Sequence, residues 1–101
     1  MDGTAPKADM RVSVLEPVPG LEEIWVENAG KHALAPLVSI RYEAAGRVLA
    51  RDLMPGFREE SPGMLRGPAP RCGERALAGW FRVSDSGTSP SLKIWEVVSV
   101  K

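Results

Sequence analysis

An all-β fold, an antiparallel sandwich or small barrel, is what this sequence predicts. Three observations carry that reading. Apolar and polar residues alternate over several short runs, which is the period-two signature of half-buried strands. Turn signals rich in Gly, Pro, Asn and Ser separate those runs. No long stretch carries apolar residues at a convincing helical spacing. About seven short strands with such punctuation suit a β-sandwich.

Residues 1–9 are small and polar and read as a flexible tail, followed by one domain over 10–101. In MRVSVLE, Met10, Val12 and Val14 point one way and Arg11 and Ser13 the other. EPVPG then stops the strand, because Pro17 and Pro19 donate nothing to a ladder. LEEIWVENAG reads as a strand with Ile24 and Val26 inward and a turn at Asn28-Ala29-Gly30. A helix capped by Gly30 is the rival, and the β-branched pair favours the strand. LVSIRYE is the clearest strand, with Val38, Ile40 and Tyr42 on one face. Ala44-Ala45-Gly46 then turns it into RVLA, as a hairpin.

Residues 51–73 hold four prolines and four glycines in 23 positions. They read as one long Pro/Gly-rich loop, with room for a short edge strand around 63–66; loops of that length are often functional. ERALAGWFRVSD places Leu77, Phe81 and Val83 on one face and Ala76, Ala78, Trp80 and Arg82 on the other. SDSGTSPS is a loop. In the last strand, SLKIWEVVSVK, Leu92, Ile94, Val98 and Val100 share a face opposite Trp95 and Val97, and a bulge near Glu96 reconciles its halves.

Composition excludes several classes. There are 13 basic and 13 acidic residues, and 44% of the chain is hydrophobic. That is ordinary for a globular domain, and it lacks the basic excess of proteins that live on phosphate backbones. Arg47, Arg51, Arg58, Arg66, Arg71 and Arg75 gather around the long loop, but Asp52, Glu59, Glu60 and Glu74 interleave with them. One cysteine allows no internal disulfide, and no run approaches the roughly 18 apolar residues of a membrane span. The location expected is cytoplasmic if the chain is native and complete, and extracytoplasmic if it is an excised domain.

Catalytic chemistry finds little to stand on. Cys72, in PRCGERA, has Arg71 and Arg75 as cations to activate a thiolate, but the single histidine, His32, is 40 residues away. A small side chain at a turn that Gly73 bends is the plainer reading. One Cys and one His make a poor zinc set. Glu59 and Glu60 are adjacent on a proline-rich stretch, without the fixed separation that paired carboxylates need. No phosphate loop or nucleophile elbow occurs. The expectation is therefore a protein that is not an enzyme and takes no cofactor or metal.

Several features resemble a known family. Val26-Glu27-Asn28 with Gly30, the run Val38 to Glu43, and Gly46-Arg47-Val48-Leu49 follow its order. Cys72-Gly73-Glu74 stands where that family often has Pro-Gly-Glu, before the strand with Phe81 and Val83. Across about three quarters of the chain the pattern is similar to a bacterial immunoglobulin-like β-sandwich of the FxLYD type. Ser39 and Arg41 depart from its Phe and Leu. The resemblance implies an immunoglobulin-like, non-enzymatic domain, often attached to something larger.

The function expected is a protein-interaction or structural module that binds a protein partner, or domains of its own parent chain, through a strand edge and the 51–71 loop. No nucleic acid is expected, and a homodimer is compatible. Leu53, Met54, Phe57 and Met64 are the candidate anchors. The alternative is a carbohydrate-binding module using Trp25, Trp80 or Trp95, which the alternation places on outward faces, where aromatics make platforms.

Overall fold

The alternating runs fold as strands throughout. The computed structural model describes residues 10–30, 37–44, 48–83 and 92–100. They form β1 (Met10–Val18), β2 (Leu21–Asn28), β3 (Leu37–Ala44), β4 (Val48–Leu53), β5 (Arg58–Ser61), β6 (Met64–Pro68), β7 (Arg75–Val83) and β8 (Leu92–Val100). Two four-stranded antiparallel sheets result, in the orders β1-β2-β7-β4 and β5-β6-β3-β8. Among the described residues there is no helix, and none long and apolar enough to cross a membrane.

The two inner faces make the core. Ile24, Val26, Val38, Ile40 and Leu65 are fully buried, with Phe81 and Ala78 beside them. Met10, Tyr42, Phe57 and Leu92 complete the cluster, and Val12 and Val14 pack against it. Each large apolar side chain buried this way contributes about 1.5–3 kcal/mol. Tyr42 and Phe81 meet edge to face across the sheets, their centroids 5.3 Å apart.

Bulges reset two of the expected faces. Ile24 pairs with Gly79 but Trp25 pairs with Leu77, so Ala78 is the extra residue in β7. Leu77 therefore shares the outer face with Trp25 and Trp80, and Ala78 turns into the core. In β8, Tyr42 pairs with Ile94 and Arg41 with Glu96, which makes Trp95 the bulged residue. Beyond it Val97 pairs with Ile40 and packs on the core, while Val98 pairs with Ser39 and Val100 with Leu37. A period-two reading fails here because each extra residue exchanges inside for outside.

Three further expectations change. β3 and β4 do not pair as a hairpin: β3 lies between β6 and β8, and β4 lies against β7 in the other sheet. Alternation defines a strand's faces but not its neighbour. The expected turn residues 45–47 lie outside the described residues. The run 51–73 is also more ordered than one loop, since it supplies the end of β4, all of β5 and all of β6. Pro17, expected to stop β1, sits within it; β1 is an edge strand, where a missing N–H is tolerated.

Three turns organise that middle region in one way. In Met54-Pro55-Gly56-Phe57 the Phe57 N–H donates to the Met54 carbonyl at 3.0 Å. Ser61-Pro62-Gly63-Met64 joins β5 to β6. In Arg71-Cys72-Gly73-Glu74 the Glu74 N–H donates to the Arg71 carbonyl at 2.9 Å. The third residue of each has positive φ, +79° at Gly73, and among the described residues no residue type other than glycine does so. This is the type II pattern, with glycine third and proline favoured second. Cys72 takes the second position that proline takes in the other two.

Asn28 ties this last turn down. It is buried; its amide donates to the Pro70 carbonyl at 3.1 Å and its side-chain oxygen accepts from the Gly30 N–H at 3.0 Å. Its backbone exchanges bonds with Glu74 and Gly73.

Candidate functional site

The most connected polar group lies where the sheets' margins approach. Arg51 on β4 pairs with Phe81, so its side chain heads between the sheets. Glu59 on β5 pairs with Leu65 and heads the same way from the other side. The Arg51 guanidinium grips the Glu59 carboxylate with two nitrogens, at 2.6 and 3.0 Å. The Tyr42 hydroxyl donates to Glu59 Oε2 at 2.5 Å, and the Gly63 N–H donates to the same oxygen at 3.2 Å. Glu22 makes a second long-range tie: buried, it accepts from the Leu92 N–H at 2.8 Å.

Electrostatics follow the geometry. Burial pushes the Tyr42 phenol up to about 12, the Glu59 hydrogen bond and charge add to this, and Arg51 only partly opposes it. Burial alone would raise Glu59. The hydrogen bonds from Tyr42 and Gly63 and the interaction with Arg51 outweigh it and hold the carboxyl below its ordinary 4.5. Glu59 and Glu60 do not form a paired-acid site, since Glu60 turns away to Arg66 at 3.1 Å. They are not a free solvated pair either.

The candidate anchors serve the core first. Phe57 is buried, Leu53 and Met54 are half-buried against the core cluster, and Met64 is half-buried on the outer face opposite Arg41. The three tryptophans do not share a platform. Trp25 and Trp80 lie half-buried on the outer face of the first sheet. Arg75 covers Trp25 at 4.6 Å and Arg82 lies 5.7 Å from Trp80. Trp95 stands on the second sheet, 59% exposed. Its indole N–H donates to Glu43 Oε1 at 3.1 Å, and Lys93 lies 5.2 Å from the ring.

Beside Trp95 is an open groove of about 420 Å³, lined by Arg41, Tyr42, Glu43, Pro62, Gly63 and Trp95. Sequence reasoning found Trp95 but not the groove, because the bulge that lifts the indole and the Pro62-Gly63 turn that walls it are far apart in the chain. Cys72 is exposed on its turn. His32 lies outside the described residues. Among the described residues no group of three or more His, Cys, Asp or Glu side chains could hold a metal ion.

The four edges differ. β5 has four residues, three of them charged. β4 carries a register irregularity and the charged pair Arg51-Asp52, and β1 carries Pro17 and another irregularity. Short strands, charges, prolines and bulges all deter edge pairing. β8 runs nine residues, and after its bulge reads EVVSV. Among the described residues no strand is hydrogen-bonded on its outer side, although β1 of the first sheet lies close to β8.

Fold and edges together define a class, an all-β sandwich of two four-stranded antiparallel sheets. In comparisons with known proteins, the chain matches no family model, no curated protein and no solved structure.

Proposed function

We propose that this chain is a non-catalytic, immunoglobulin-like module that binds a protein partner by adding the partner's strand to the outer edge of β8. The β8 edge, where no strand of the sheet pairs on the outer side, carries this reading. Apart from the Leu92 N–H, which Glu22 takes, the N–H and C=O groups along that side have no ladder partner and offer a template, and strand addition uses such edges directly. The strand order supports the immunoglobulin-like part. β1-β2-β7-β4 follows the A-B-E-D order of that sandwich, and β3 beside β8 follows C beside F. The β5–β6 hairpin is then an addition on the far side of C. In that scheme the neighbour of F is a seventh strand, and the outer edge of β8 is its place. Trp95, exposed at the same strand, supplies an aromatic contact of the kind that dominates interfaces.

Photo-crosslinking tests this. A crosslinker replacing Lys93 on β8 is expected to give a discrete adduct with the partner, while one replacing Asp52 on β4, at the far edge of the other sheet, gives none. Trp95→Ala is expected to weaken binding by about 10–30-fold, as for an aromatic hot spot. Equal adducts from both strands, with Trp95→Ala neutral, would overturn the reading.

The groove beside Trp95 favours a second reading, carbohydrate binding on a single indole platform flanked by Glu43 and Arg41. Indole fluorescence left unchanged by a panel of glycans would count against it.

A further inference from the structure

A different place on the second sheet carries an unsolved charge problem. Arg58 and Arg66 lie directly opposite each other on β5 and β6. Like charges at directly opposed positions repel. Glu60 reaches Arg66 Nη1 at 3.1 Å and neutralises one of the two. Among the described residues nothing pairs with Arg58. Arg66 Nε is shielded from water and has no hydrogen-bond partner, a costly state for a charged donor. These groups border a cavity of about 240 Å³, lined by Leu37, Gly56, Arg58, Glu60, Arg66 and Gly67.

We propose that this cavity binds a carboxylate presented by an acidic segment of a protein partner, held between Arg58 and Arg66. Two guanidiniums and one carboxylate leave a net single positive charge, which a monoanion balances and a phosphate dianion exceeds. A carboxylate matches the planar fork of an arginine. Turning the Arg66 guanidinium toward it would satisfy the stranded Nε, and the negative charge would screen Arg58 from Arg66. The volume suits one side-chain carboxylate and is below the usual range for a drug-sized ligand. β5 is the outermost strand, so the cavity lies at the sheet's margin, within reach of an extended partner segment. The partner rests on the binding-module reading above; the carboxylate chemistry does not.

The test is an NMR titration of the folded protein at low salt with four probes: blocked Val-Glu-Val, blocked Val-Gln-Val, sodium acetate and sodium phosphate. The Glu peptide is expected to shift the Gly56 and Gly67 amides and the Arg66 Nε signal to saturation. The Gln peptide, and the Glu peptide on the Arg58→Gln protein, are expected to bind at least tenfold more weakly. Absence of saturation, or equal binding of the Gln peptide, would overturn the site. Tighter binding of phosphate would overturn the carboxylate assignment, and acetate binding as tightly as the Glu peptide would overturn the partner segment. The reporters sit away from β8, so a module with no strand partner at β8 still gives the expected result if the cavity proposal holds.

Discussion

Glu59 shows how one side chain can be visible in sequence and still be misread. Two adjacent glutamates among prolines look solvated, and nothing local says that strand alternation will send Glu59 inward and Glu60 outward. Their partners are 17 residues away at Tyr42 and six at Arg66. The clasp has a pH signature at each end. The Tyr42 phenol is raised from 10.0 to about 12. A raised pKa means the folded state holds its proton longer than the unfolded chain does. That contribution is present in full below about pH 10 and is lost as pH rises toward 12. Tyr42 is the only tyrosine, so phenolate absorbance reads it alone; a midpoint near 10 in the folded protein would contradict the clasp. At the acid end the sign reverses. Glu59 is lowered, so its contribution is present above 4.5 and is lost as pH falls through its folded value. Tyr42→Phe removes a hydrogen bond to a charged group and is expected to cost about 1.5–3 kcal/mol in denaturant unfolding. It should also flatten the loss of stability at high pH.

At the scale of elements, β1, β2 and β3 were legible because each keeps a clean period of two, and Ile24, Val26, Val38, Ile40 and Tyr42 are buried as expected. β5 was hidden, and β6 showed only as the possible short strand around 63–66. REES has poor strand propensity, and β6 carries Gly67 and ends at Pro68. What makes the hairpin a strand pair is tertiary. Gly67 leaves room for the Phe57 ring, and a Cβ there would fall inside its van der Waals surface. Gly67→Ala is therefore expected to destabilise the fold by about 1–3 kcal/mol, the usual cost of overpacking; a neutral result in denaturant unfolding would contradict the packing described. The Cys72 turn gives a second prediction. An exposed thiol on a turn should label in the native protein about as fast as in the unfolded chain, and Cys72→Ser should change stability by no more than about 0.5 kcal/mol. Labelling that waits for unfolding would place the thiol elsewhere. Gly73, whose positive φ that turn requires, should tolerate substitution far less well.

For the whole molecule, the sandwich could be read from alternation and punctuation, but the way its strands are wired together could not. Which strands pair is set by crossings between sheets, as at Met54-Pro55-Gly56-Phe57 where β4 leaves one sheet for β5 in the other. Trp95 could be expected on a surface, while the groove beside it and the Arg58–Arg66 cavity exist only once β3, β5, β6 and β8 are side by side. The same wiring predicts slow folding. β2 must find β7 and β3 must find β8 across long stretches of chain, and topologies of this kind fold on the order of milliseconds to seconds. Stopped-flow refolding in microseconds would contradict it. Wiring also bears on how the protein ages in storage. Asparagine converts to aspartate when the next residue's backbone nitrogen attacks the side-chain carbonyl and expels ammonia, and water opens the cyclic imide so formed; the attack requires the side-chain amide to swing freely. Asn28 holds its amide between Pro70 and Gly30, away from water. Its chemical clock should stand nearly still while the sandwich is folded. It should start when the Arg71–Glu74 turn lets go, so the mass gain at this one position records the time the molecule has spent open.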